Sequence, residues 1–141
     1  MKHIFRIIML SICVVLNTAC TKEDDADAFV GTYSVSTIEN ATWGGFSTTL
    51  TDNGTLRITK VSDNRVHVSG YFNTYGSAVG NCLYLESYTT SDSSGSLTIV
   101  FGTASLNGTV ITLSSTTSGS LKYQGISYPF HATSRHTCIK Q

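Results

Sequence analysis

Four cysteines and four histidines are the side chains with most chemistry to offer, and their positions narrow what that chemistry is. Cys13 falls inside the apolar run Ile7 to Leu16, which follows the positive residues Lys2 and Arg6. A basic start and an apolar run of roughly 10 residues fit a secretory signal peptide, too short to span a bilayer. A chain exported in this way meets an oxidising compartment, so Cys82 and Cys138 are expected to form a disulfide. Such a bridge would close a loop of about 57 residues and stabilise the fold on the order of 4 kcal/mol. The alternative is a metal site built from Cys82, Cys138 and His136, the last two sharing a strand face at i and i+2.

The other histidines suggest no catalytic centre. His67 lies between Val66 and Val68 and is expected to face solvent, while His131 and His136 are an odd number of residues apart and fall on opposite faces of a regular strand. The chain has no His-Glu-x-x-His, no Gly-x-Ser-x-Gly and no phosphate-binding glycine loop. The expectation is a protein that binds rather than reacts, with no catalytic residue, metal or cofactor. Aromatic rings beside turns are the candidate contacts: Trp43, Tyr71 and Tyr75 as ligand-binding residues, with Phe46, Phe72 and the group Tyr123, Tyr128 and Phe130 nearby in sequence. A ring with an apolar face and a polar tip suits a sugar or a protein partner. The competing reading is that the same rings plug the ends of a barrel.

The elements that would carry these residues are strands. Charged residues make up only 13% of the chain, and one proline stands beside 12 glycines and many Ser, Thr and Asn, a composition suited to strands and turns. Phe29 to Val35, Leu56 to Thr59, Val66 to Val68 and Leu83 to Leu85 alternate apolar and polar residues, the period-two mark of half-buried strands. Turns are expected at Gly44-Gly45, at Asp52-Asn53-Gly54, at Ser62-Asp63-Asn64, at Leu106-Asn107-Gly108 and around Ser118-Gly119, with a Ser-rich loop from Thr89 to Gly95. The fold class is all-β, a single antiparallel meander of about 8 to 9 strands closed into a barrel. From Ala28 onward six basic residues stand against five acidic ones, so no long-range field favours nucleic acid.

Thr18-Ala19-Cys20 resembles the lipobox of bacterial lipoproteins, in which the cysteine is diacylated and becomes the first mature residue. The stretch that follows, Cys20-Thr21-Lys22-Glu23-Asp24, looks like the export signal of Bacteroidetes-type surface lipoproteins. The resemblance implies lipidation at Cys20 and an outer-membrane protein facing the cell exterior. It divides the chain into a signal peptide at 1–19, a lipidated flexible tether at 20–28, extended by its mutually repelling acids, and a barrel domain at 29–141.

The Phe-x-Gly-x-Tyr opening at Phe29, Gly31 and Tyr33, with Val79-Gly80-Asn81-x-Leu83 and later Gly-x-Leu and Leu-Asn-Gly steps, resembles small lipocalin-like (calycin-type) lipoproteins. That resemblance implies a barrel and ligand carriage. The expected function is a monomeric, non-enzymatic binding module for a glycan, a small apolar ligand or an envelope protein, held to the membrane by its lipid. A lysozyme-type hydrolase inhibitor is the alternative, and a hydrolase the third reading.

Overall fold

Alternation along Tyr33, Val35 and Thr37 against Ser34, Ser36 and Ile38 commits the first strand to two unlike faces, and the next strands copy it. The computed structural model describes residues 25–141; the expected signal peptide at 1–19, the expected lipidation site Cys20 and the rest of the expected tether to residue 24 lie outside the described residues. Ten antiparallel strands follow a short 3-10 turn, Asp25–Phe29: β1 (Gly31–Trp43), β2 (Phe46–Ser62), β3 (Arg65–Gly70), β4 (Thr74–Val79), β5 (Cys82–Leu85), β6 (Tyr88–Asp92), β7 (Gly95–Phe101), β8 (Ala104–Asn107), β9 (Val110–Tyr123) and β10 (Ile126–Lys140). Eight of them close a ring in the order β10-β1-β2-β3-β4-β5-β8-β9, sealed by β9 against β10. The β6–β7 hairpin stands outside the ring and attaches through β7 to the C-terminal half of β9.

The ring is short and four of its strands are long. β3 pairs with β2 only from Leu56 to Ser62, and β8 pairs with β9 only from Val110 to Thr112. Beyond those points β2, β1, β10 and β9, joined by β7 and β6, continue as an open sheet. At about 3.3 Å per residue the 17 residues of β2 span roughly 55 Å from sheet tip to barrel base.

The barrel interior is filled by Tyr33, Val35, Leu56, Ile58, Val66, Val68, Phe72, Leu83, Ile111 and Leu113. Its base is stoppered by the 3-10 turn, where Ala26 and Phe29 are fully buried. The Ala26 N–H donates to the Asp63 carbonyl at 3.0 Å, the Tyr33 hydroxyl donates to the Phe29 carbonyl at 2.8 Å, and Lys60 pairs with Asp27 at 3.2 Å. Residues 25–28, expected in the tether, are therefore part of the packed fold. Burying a side chain the size of Phe29 contributes about 2 to 3 kcal/mol, more than the repulsion between neighbouring acids costs.

Two expected breaks are not breaks, and a third is narrower than expected. Asp52-Asn53-Gly54 sits inside β2, paired to Thr37, Ser36 and Val35. A Cβ on Gly54 would fall 2.5 Å from the Tyr71 ring, so this glycine lets a ring lie flat over the strand instead of turning it. Ser118-Gly119 likewise runs through β9, where a Cβ on Gly119 would strike the Ser96 carbonyl of β7. The Ser-rich stretch Thr89 to Gly95 turns only at Ser93-Ser94 and is otherwise strand, in the β6–β7 hairpin held by Ser91–Ser96 and Thr89–Thr98 hydroxyl contacts at 2.8 and 2.9 Å.

The expected disulfide is also absent: Cys82 and Cys138 are both free. Strand register explains it. Leu83 pairs with Ala104 on the buried face, which turns its neighbour Cys82, opposite Ser105, to the outside of the ring. Cys138, opposite Ile111 and Val35, points into the core. The two thiols sit on opposite faces of the wall, on strands separated by β8 and β9.

Candidate functional site

One sheet face carries both the barrel core and its continuation. Register places Val35, Thr37, Glu39, Ala41 and Trp43 of β1 on it, with Gly54, Asp52, Leu50, Thr48 and Phe46 of β2 alongside. From β10 come His136, Ser134, Ala132, Phe130 and Tyr128, and from β9 Ser115, Thr117, Gly119, Leu121 and Tyr123. Inside the ring this face is covered by the opposite wall. Past the ring the same kind of face meets solvent: Phe46 is 80% exposed, Ile126 58%, Tyr123 55% and Leu50 51%.

At the boundary a polar belt crosses the face. The His136 ring is buried, with Nδ1 2.8 Å from the Thr37 hydroxyl and Nε2 2.9 Å from the Ser115 hydroxyl. Phe72 and Tyr71 stand edge-on to it, centroids 4.9 and 6.0 Å away. Beside it the Ser134 hydroxyl donates to Glu39 at 2.8 Å, and the Tyr71 hydroxyl donates to Asp52 at 3.1 Å. Burial pushes the His136 imidazole down to about 4 from its ordinary 6.5, because the surrounding rings and hydroxyls cannot solvate a cation as water does. Ser115 beside His136 has the look of a nucleophile and base, but both ring nitrogens are taken by hydroxyls and none by a carboxylate that would stabilise an imidazolium. The arrangement holds the barrel mouth together.

At the tip the sheet forms an aromatic cleft. Gly44-Gly45, with φ of 55° and 86°, makes the β1–β2 turn, and Gln124-Gly125 makes the β9–β10 turn beside it. Trp43 meets Tyr123 and Tyr128 edge-on, with centroids 6.1 and 5.9 Å apart. Together with Gly44 and Phe46 they line a cleft of about 450 Å³. No charged side chain lines it, and its polar groups are the indole N–H and two phenol hydroxyls. Such a cleft suits a neutral ring with an apolar face.

The three rings singled out from sequence do not converge. Trp43 is in the tip cleft. Tyr71 lies over Gly54 at the barrel mouth, and burial together with nearby Asp52 raises its phenol above the usual range, while a hydrogen bond with Thr37 acts the other way. Tyr75 is on the outer wall of β4, its ring 4.8 Å from the His67 ring and 5.1 Å beneath the Arg65 guanidinium. What joins Trp43 is the group Tyr123 and Tyr128, far away in sequence and brought over by the pairing of β1 with β10. The Thr37–His136–Ser115 belt was not anticipated; the face shared by His136 and Cys138 was its only sequence signal.

Cys138 is an inert thiol, pushed up to about 11 by burial. Among the described residues no three His, Cys, Asp or Glu side chains converge as metal ligands would, and Cys82 faces away from Cys138 and His136. Comparison with known proteins returns no matching family model, curated protein or solved structure.

Proposed function

We propose that this protein is a lipid-anchored, outer-surface binding module that does no catalysis and recognises a neutral glycan in the cleft formed by Trp43, Phe46, Tyr123 and Tyr128. The observation that carries this reading is the aromatic cleft itself, an uncharged, solvent-open group of rings at the end of an otherwise hydroxyl-rich sheet. Sugar rings present C–H faces that stack on indole and phenol, and their hydroxyls find partners in the phenol groups at the rim. The packed barrel interior favours recognition at the open sheet over carriage inside the ring.

Attachment geometry supports the same reading. The chain enters the barrel at its base through the 3-10 turn Asp25–Phe29. A diacylated Cys20 would therefore hold the base at the membrane, at the opposite end of β2 from the cleft, which leaves the cleft clear of the anchor. The test is a glycan array probed with the parent and with Trp43→Ala. The expected result is binding to neutral oligosaccharides by the parent and at least a tenfold loss, about 1.4 kcal/mol, in the variant. Equal binding by both proteins would remove the cleft as the site. Radiolabelled palmitate incorporated by the parent but not by Cys20→Ala tests the anchor separately.

A further inference from the structure

We infer that two copies of this chain pair through the free edge of β2, residues 46–54, as antiparallel neighbours in one joined sheet. The Thr55 carbonyl accepts the Tyr71 N–H at 2.9 Å, so Thr55 directs its backbone groups away from β1. In a regular antiparallel strand these directions alternate residue by residue, and the β1–β2 register runs unshifted from Trp43 opposite Phe46 to Gly31 opposite Ile58. Ser47, Thr49, Thr51 and Asn53 therefore turn their N–H and C=O groups outward along the edge. Among the described residues no strand receives them, because β3 begins pairing only at Leu56. Asp52 Oδ1 takes the Asn53 N–H at 2.8 Å, which leaves Ser47, Thr49 and Thr51 as the open part.

Sheet edges are ordinarily defended by charge, proline or shortness. The sheet's other edge, β6, is short and ends on Asp92. The β2 edge is long, residues 46–54 contain no Lys, Arg or Pro, and Asp52 is their one charged side chain. Its sequence is also complementary to itself about Leu50. An antiparallel copy centred there sets Thr49 against Thr51, Ser47 against Asn53, Thr48 against Asp52 and Phe46 against Gly54. These are polar pairs on the outer face, a threonine beside an aspartate and a ring beside a glycine on the inner face, and no like charges opposed. The twofold brings the two half-exposed Leu50 side chains together and fuses the two aromatic faces. Because β2 runs from tip to base, it leaves the two barrels at opposite ends of the joined sheet. This departs from the monomer expected from sequence and does not depend on what the cleft binds.

Leu50 and its symmetry mate form a non-hydrogen-bonded pair, with Cα atoms about 4.5 Å apart, within the reach of a disulfide. The experiment uses the full chain carrying Cys82→Ser, extracted in detergent and oxidised, with and without Leu50→Cys. The expected result is a covalent dimer that requires Leu50→Cys and falls at least tenfold when Thr49→Pro is added. Thr49 offers its N–H to the free edge and not to β1, so proline there blocks pairing while sparing the β1 ladder. Thr51→Pro serves the same purpose should circular dichroism show that Thr49→Pro has lost its sheet. A Leu50→Cys chain that stays monomeric, or cross-links equally well with the edge proline present, overturns the inference.

Discussion

The closed barrel and the open sheet are built from the same strands, and only one of them is filled. On β1, Tyr33 and Val35 face an opposite wall and are buried, while Trp43 on the same face looks across at solvent. The difference lies in the neighbours: β3, β4, β5 and β8 are short and close the ring only around the base. An apolar residue stabilises the fold through the surface that folding removes from water, so equal side chains on one face carry unequal weight. What the barrel uses for stability, the sheet keeps available for contact.

Substitutions at matched leucines give the largest expected contrast. Leu83→Ala, in the core, should cost about 3 kcal/mol by denaturant unfolding, and Leu50→Ala, half-exposed on the sheet, less than about 0.5 kcal/mol. Equal costs would mean that the sheet face is packed after all.

Acid should act at the boundary with a similar magnitude. His136 stays neutral in the fold down to about pH 4, whereas the unfolded chain takes up that proton near pH 6.5. Stability from this group is therefore full above about pH 6.5 and declines as the pH falls towards 4, where the loss levels off at on the order of 3 kcal/mol. His136→Gln should flatten that part of the profile, read from unfolding midpoints between pH 7 and pH 4.

Smaller effects are expected at the stopper and at the thiols. Tyr33→Phe removes the hydrogen bond to the Phe29 carbonyl and should cost about 1 kcal/mol. Thiol labelling of the folded protein should modify Cys82, turned outward, far faster than Cys138, which should react only when the barrel opens. Matching rates would contradict the register that separates them.

How much of this could be read beforehand follows from what each feature depends on. Strand alternation is local, so the all-β class and the turns at Gly44-Gly45 and Asn107-Gly108 were legible. Gly54 and Gly119 misled because a glycine answers either a turn or a close approach, and the approaching groups, the Tyr71 ring and the Ser96 carbonyl, are distant in sequence. The cysteines could have been separated: Leu83 and Leu85 on one face already turn Cys82 to the other. The cleft could not, since Trp43 meets Tyr123 and Tyr128 only because the last strand closes the ring beside the first.

Trp43 is the only tryptophan in the chain, so its fluorescence reports the tip cleft and nothing else. Titration with a neutral oligosaccharide selected on the array should shift or quench that emission saturably, at the same midpoint as binding measured by calorimetry. Calorimetric binding with the emission unchanged would place the ligand elsewhere and contradict the division of the molecule into a packed end and a presenting one.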